Sequence, residues 1–238
     1  MKVLLINGSP HANGCTYTAL SEVAETLNKN GIDTEIYQIG TKPIAGCIAC
    51  GSCAKTGRCV FDDGVNELAS RLDEFDGIIL GAPVYYAGAA GQAHAYFDRL
   101  FFFNGKKMAG KLGAAVVSCR RGGATASWDI LNKYFGISNM FIVGSQYWNQ
   151  VHGSNAEQVK QDLEGLQTMR TLGQNMAWML KSIDAGKAHG ILTPAAEPKT
   201  RTNFIRECAP VKAEAEEKNF APYFISYNKV NKAYQEED

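Results

Sequence analysis

Lys2-Val3-Leu4-Leu5-Ile6-Asn7, running at once into Gly8-Ser9-Pro10-His11-Ala12-Asn13-Gly14-Cys15-Thr16, is the stretch that decides the fold. The first six residues have the apolar, β-branched character of a short buried strand, and Tyr17 to Asn30 has the apolar spacing of a helix. A strand, a small polar loop and a helix together make a phosphate cradle. Backbone N–H groups and hydroxyls face the anion, and the positive end of the helix dipole lies behind it. The loop lacks the Gly-Lys-Ser/Thr ending of a nucleoside-triphosphate loop. Gly8 and Gly14 stand six apart, so the G-x-G-x-x-G dinucleotide spacing is also missing. What remains is Ser9, Asn13 and Thr16 as side-chain donors with no cation, a set suited to one phosphate monoester.

Gly8-Ser9-Pro10 followed by Asn13-Gly14-Cys15-Thr16 resembles the FMN phosphate loop of the NADPH-dependent FMN reductase family, which is flavodoxin-like in fold. The resemblance implies that Ser9, His11, Asn13, Gly14, Cys15 and Thr16 hold the FMN phosphate. Cys15 would contribute its backbone N–H. His11 would add a hydrogen bond, although an exposed loop histidine without a role is an equal reading.

Outward from this loop the chain alternates β and α. Thr34 to Ile39, Gly77 to Gly81, Leu112 to Ser118 and Met140 to Val143 read as further strands, short and apolar as buried parallel strands are. Val65 to Glu74, Gly91 to Phe103 and Ser127 to Phe135 read as helices, with Asp63 as the expected N-cap of the first. Asn155 to Ile183 reads as one long amphipathic helix. Five strands alternating with helices predict an α/β, flavodoxin-like, doubly wound five-stranded parallel sheet in the order 2-1-3-4-5. The domain expectation is a flavodoxin-like FMN-binding body over 1–185 and a C-terminal extension over 186–238. That extension mixes prolines, charge and aromatics, and is expected to pack on the body or on a partner subunit.

In this architecture a ligand sits where the loops at the carboxyl ends of the strands converge. The loop after the third strand is Ala82-Pro83-Val84-Tyr85-Tyr86-Ala87-Gly88, which resembles the family's second flavin loop. The resemblance places Pro83, Val84, Tyr85, Tyr86, Ala87 and Gly88 against the isoalloxazine. A flat heterocycle also suits aromatic faces and backbone donors on physical grounds alone. The loop after the fourth strand holds Ser118, Arg120, Arg121, Gly122 and Gly123. Ser118, Arg120 and Gly123 are expected beside the pyrimidine side of the flavin, with an arginine offsetting charge at N1 or meeting a nicotinamide-nucleotide phosphate. Two solvated arginines in a turn are the plainer alternative. Tyr85, Tyr86 and Arg120 are the expected lining of the reactive edge.

The second strong feature is Cys47-Ile48-Ala49-Cys50-Gly51-Ser52-Cys53-Ala54-Lys55-Thr56-Gly57-Arg58-Cys59, four thiols spaced x2, x2, x5. A compact C-x2-C-x2-C run with a further cysteine is how small loops wrap a cubane. Zinc more often takes two separated pairs. Free, redox-sensitive thiols and an oxidative disulfide stay open as alternatives. The group resembles that of the iron–sulfur flavoproteins, a branch of the same superfamily, and implies Cys47, Cys50, Cys53 and Cys59 as ligands of a [4Fe–4S] cluster. Cys119 and Cys208 stand alone and read as packing residues.

Composition narrows the class. The 238 residues carry 24 Lys plus Arg against 24 Asp plus Glu, so no basic face invites nucleic acid and no net field invites an anionic membrane. No apolar run reaches the ~18–20 residues of a spanning helix, and the opening strand is unlike a signal peptide. The expectation is a soluble cytoplasmic protein with reduced cysteines. No hydrolase motif is present. Taken with the resemblance, the expected function is NAD(P)H-driven, FMN-dependent reduction of a quinone, flavin or other small acceptor by a homodimer or homotetramer. An iron–sulfur flavoprotein exchanging electrons with a ferredoxin-like protein is the alternative, and a flavin-binding redox sensor is the third.

Overall fold

A computed structural model of the chain describes residues 1–195 together with 197, 198, 200 and 202. Those residues fall into a main unit, Met1–Ile48 with Ser52–Thr193, and a second unit comprising Ala49–Gly51 and the segment from Pro194. Most of the expected C-terminal extension, including Cys208 and the packing proposed for its aromatics, lies outside the described residues.

In the main unit, β1 (Lys2–Asn7), β2 (Asp33–Gln38), β3 (Gly77–Tyr85) and β5 (Leu112–Cys119) form the body of the sheet. Its order is β2-β1-β3-β5-β6, with parallel pairing throughout that path, where β6 is Phe141–Ile142. Counting long positions, this is the expected 2-1-3-4-5 arrangement. Two short strands were not expected. β4 (Gly88–Ala89) folds back antiparallel on β3, and β7 (Gln150–His152) pairs with β5. The fifth position is therefore shared. β6 lies beside Leu112–Gly113 and β7 beside Val117–Cys119. Phe141 and Ile142 are exposed while Met140 and Val143 are buried, as suits an edge strand interrupted by a loop.

Strand alternation sends side chains to two cores. Val3, Leu5, Ile79, Ala114 and Val116 meet α1 (Cys15–Lys29) and α7 (Leu163–Ala188). Leu4, Ile6, Ile78, Leu80, Ala115 and Val117 meet α3 (Val65–Ser70), α4 (Gly91–Met108) and α5 (Ala124–Ile137). Each fully buried Leu, Ile or Phe contributes roughly 1.5–3 kcal/mol relative to exposure. Helices cover both faces, and the loops that follow the strands gather at the carboxyl edge of the sheet.

Two sequence expectations are corrected by local chemistry. Asp63 does not cap α3. Gly64, left-handed at φ 89°, occupies that position, and the Asp63 carboxylate turns instead to Arg99. The expected single helix from Asn155 is two helices, α6 (Ala156–Val159) and α7. Asp162 ends the first stretch by capping α7, accepting from Gly165 N at 2.9 Å and from His152 N at 2.7 Å. One carboxylate thus restarts the helix and anchors β7. α7 then continues past residue 185 to Ala188.

Candidate functional site

Three loops leave the carboxyl edge of the sheet, and glycines let them meet. Gly8 donates its N–H to Gly81 O at 2.8 Å, joining the chain just past β1 to the middle of β3. A Cβ at Gly8 would lie 2.7 Å from that same oxygen, so no larger residue fits there. Gly123, at φ 88°, lies so close to Ala87 that a Cβ would fall 2.5 Å from its Cα. The loops after β3 and β5 are packed together by this contact.

The first loop is braced from beneath by a residue that sequence reasoning missed. Asn7 is fully buried at the end of an otherwise apolar strand. Its Oδ1 accepts from Ser9 N at 3.1 Å, and its Nδ2 donates to Gln38 Oε1 at 2.5 Å. Gln38 Nε2 in turn donates to Ser9 O at 2.6 Å. The available signal was the polar residue closing Lys2-Val3-Leu4-Leu5-Ile6. Above this brace, Ser9 Oγ accepts from His11 N at 3.1 Å, which leaves the Ser9 hydroxyl proton to donate elsewhere. The loop ends on Gly14, the N-cap of α1. Gly14 supplies no side-chain cap, and the first turn carries no acidic residue. The leading N–H groups of α1 therefore face the loop without intrahelical partners. That arrangement, with buried Ser9 and Thr16 beside it, fits a phosphate monoester dianion.

The candidate residues divide into those brought together and those set apart. Thr16 Oγ1 lies 2.9 Å from Ser118 Oγ, both buried, which ties the first turn of α1 to the end of β5. Ser118 stands beside Pro83 in the β3–β5 register. Val84 and Ala87 both crowd Gly123, and Tyr85 pairs with Gly88. Tyr86 and Ala87 form the two-residue turn of the β3–β4 hairpin, with φ 51° and 59°. A turn with both central residues left-handed favours Asn and Gly, so a tyrosine there is held against its preference. Its ring is fully exposed. His11, Asn13, Arg120 and Arg121 are exposed at the rim. Cys15 Sγ donates to Gly153 O at 3.5 Å, and burial pushes its thiol up. Cys119, also raised by burial, lies 3.5 Å from His152 Nδ1.

The thiol loop is built differently. Cys47, Cys53 and Cys59 belong to the main unit and Cys50 to the second. Cys47 and Cys50 are exposed, and Cys53 and Cys59 are half-buried. Ala49, Gly51 and Gly57 are left-handed at φ 52°, 69° and 68°, so the backbone reverses its curl between successive thiols. Among the described residues, no three His, Cys, Asp or Glu side chains converge as a single metal ion would require. Cys59 is held firmly. Its N–H donates to Asn66 Oδ1 at 2.8 Å, and its carbonyl accepts from Asn66 Nδ2 at 3.0 Å.

Arg99, 2% exposed, donates from Nε to Cys59 Sγ at 3.2 Å. It forks onto Asp63 at 2.5 and 2.6 Å, reaches Ala45 O at 2.8 Å and lies 5.0 Å from the Phe61 ring centroid. The Arg99 bonds hold the Asp63 carboxyl below the usual carboxylate range, against the opposing effect of burial. A guanidinium only donates, so the sulfur is the acceptor, as suits a thiolate ligand. Neither Asn66 nor Arg99 was singled out from the sequence as part of a site. Arg99 was visible as a charge inside the apolar face Tyr96-Phe97…Leu100-Phe101.

Comparison with known proteins sets this geometry in a family. The sequence model of the NADPH-dependent FMN reductase family matches residues 1–154, the segment that carries all three loops and the thiol group. The chain belongs to this family. An iron–sulfur flavoprotein of Methanocaldococcus jannaschii is 34% identical over 191 residues, covering 77% of this chain and 99% of that protein. The iron–sulfur flavoprotein of Methanosarcina thermophila is 29% identical over 79% of this chain and 99% of its own length. In fold, the flavodoxin-like WrbA-like protein of Agrobacterium tumefaciens superposes with a TM-score of 0.53 at 17% identity, covering 76% of this chain and 98% of that one. The family is one of FMN-linked oxidoreductases, and the flavodoxin-like fold follows from the sheet order and this likeness together. Among the described residues, no helix is long and apolar enough to cross a membrane.

Proposed function

We propose that this FMN reductase family member is a two-cofactor oxidoreductase. Its FMN would sit at the carboxyl edge of the sheet, and a [4Fe–4S] cluster would be held by Cys47, Cys50, Cys53 and Cys59. The observation that carries the FMN assignment is the uncapped, acid-free start of α1 over a loop braced by Asn7 and Gln38. When bound, FMN supplies one- and two-electron redox chemistry that no side chain offers.

The chain's own residues bind and orient. The leading N–H groups of α1 and the Ser9 hydroxyl hold the phosphate, with His11, Asn13 and Cys15 around it. The strained hairpin from Pro83 to Gly88 presents backbone N–H groups and the Tyr85 and Tyr86 rings to the isoalloxazine. Ser118 and Gly123 close its pyrimidine side, and Arg120 offsets negative charge there. No side chain in this arrangement is needed as general acid or base. In this reading the protein exchanges electrons with a ferredoxin-like partner, as a cytoplasmic homodimer or homotetramer. The four-thiol spacing and the iron–sulfur flavoprotein relatives support it.

A second reading rests on the family description. That description is NADPH-dependent FMN reductase, and in this reading NAD(P)H would be the donor and a quinone, free flavin, azo or nitro compound the acceptor. The absorption spectrum of anaerobically purified protein, with iron and sulfide assays, separates the two. Flavin bands with a broad added shoulder and about four irons per chain support the cluster. Flavin bands alone, with NAD(P)H oxidation, support the second reading. Ser9→Ala combined with Thr16→Ala is expected to strip FMN while leaving the circular dichroism unchanged. Unaltered FMN retention in that variant would remove the phosphate site from the account.

A further inference from the structure

We propose that Arg99 is the positioning residue of the fourth cluster ligand, and that its N–H···S bond to Cys59 raises the reduction potential of the cluster. The inference rests on the reading that Cys47, Cys50, Cys53 and Cys59 hold a [4Fe–4S] cluster.

The argument begins from the burial of a guanidinium. Arg99 is the largest fully buried side chain among the described residues, on a helix face otherwise made of Tyr96, Phe97 and Leu100. A buried ion pair is weak evidence for stability, since apolar groups of similar volume often serve as well. Its retention calls for a task that apolar packing cannot perform. The bonds of Arg99 name one. Nη1 reaches Ala45 O, two residues before Cys47, while Nε reaches Cys59 Sγ and the fork reaches Asp63. One side chain therefore joins the chain entering the thiol loop to the chain leaving it. Asn66 adds a second hold, bonding both the N–H and the carbonyl of Cys59 as well as Phe61 O. The Cys59 sulfur is thus oriented by its backbone and by a donor, before any cofactor arrives.

Hydrogen bonds and positive charge at cluster sulfurs favour the reduced, more negative cluster, and so move its potential upward. Asp63 offsets much of the Arg99 charge, while the N–H···S bond remains directional. The two residues should accordingly act with opposite signs.

The test uses full-length protein reconstituted anaerobically with iron and sulfide. The cluster midpoint is followed by EPR during dithionite titration, dithionite supplying the single electron. Arg99→Lys keeps a positive charge but cannot fork onto Asp63 and reach Cys59 together, so its midpoint is expected to move negative. Asp63→Asn leaves the guanidinium less compensated beside Cys59, so its midpoint is expected to move positive. A variant that keeps FMN and loses about one iron in four also supports the assignment, because only the Cys59 corner is released. Unchanged midpoints in both variants would overturn it, as would shifts of the same sign or loss of all iron from both with FMN retained. If Arg99→Lys does not fold, the sign of the Asp63→Asn shift decides alone. Wild-type protein that retains FMN but takes up no iron and sulfide would sink the cluster reading itself, an outcome distinct from four irons with unmoved midpoints.

Discussion

The loops that follow β1 and β2 leave adjacent strands on the same edge of the sheet, yet they are held in opposite ways. The loop from Gly8 to Gly14 is held by the strands beneath it and by the helix that follows. Asn7 and Gln38, neighbours in the β1–β2 register, bond its backbone, and α1 begins immediately after it. The thiol loop has little regular structure beyond the five-residue α2 (Ser52–Thr56), and its hold at Cys59 comes from Asn66 on α3 and Arg99 on α4. A site braced by neighbouring strand ends forms with the sheet that brings those ends together. A site clamped by a distant side chain depends on the tertiary packing that delivers that side chain.

This contrast can be broken most sharply at Arg99. Arg99→Ala removes one partner of a buried pair and leaves the Asp63 carboxylate uncompensated, a change worth about 3–5 kcal/mol of stability. If the two loops are independent, the variant should unfold at lower urea and be cleaved readily between residues 45 and 60 under native conditions. It should still bind FMN at wild-type affinity once corrected for the folded fraction. A parallel collapse of FMN binding would show that the thiol loop supports the phosphate loop.

The converse change is Asn7→Ala. Asn7 is fully buried, and its removal orphans the Ser9 N–H and Gln38 Oε1, while Gln38 Nε2 keeps its bond to Ser9 O, for about 1–3 kcal/mol. The loop it braces is the one proposed for the phosphate, so FMN affinity should fall about tenfold or more, equivalent to about 1.4 kcal/mol. Fluorescence titration of FMN measures this, and reactivity of Cys47 toward an alkylating reagent should stay at the wild-type rate. Accelerated alkylation would mean that the two loops share a brace.

What was legible in the sequence follows the same division. The alternation of strands and helices came from local period and composition, and the strand order from the flavodoxin-like resemblance carried by the loop after β1, while α1 begins at Cys15, two residues before the expected start. Asp63 was misread because its local role, capping α3, was available in sequence, whereas its partner Arg99 is thirty-six residues away. Gly64 then took the cap through its left-handed backbone. Likewise, Asp162 breaks an apparently continuous amphipathic pattern by capping α7 and binding His152 of β7, a contact the periodicity does not encode. Asn66 and Gln38 were passed over because a single polar residue in a short element carries no periodic signal.

The smallest effect should appear at the hairpin tip that follows β3. Tyr86 has φ 51° and a fully exposed ring, so the fold gains no packing from it while the backbone bears a left-handed conformation. Tyr86→Gly relieves about 1–2 kcal/mol of that strain but adds about 0.5–1 kcal/mol of chain entropy lost on folding. The net expectation is a gain of about 0.5–1 kcal/mol, seen as a rise of about 1–4 °C in Tm for a domain of this size. If the ring stacks on the isoalloxazine, the same variant should bind FMN several-fold more weakly, so stability and affinity move in opposite directions. Loss of stability with unchanged FMN affinity would assign Tyr86 to packing and leave the flavin face to Tyr85. A gain in stability with unchanged affinity would point instead to contacts other than the cofactor as the reason a tyrosine is kept at a strained, solvent-facing turn.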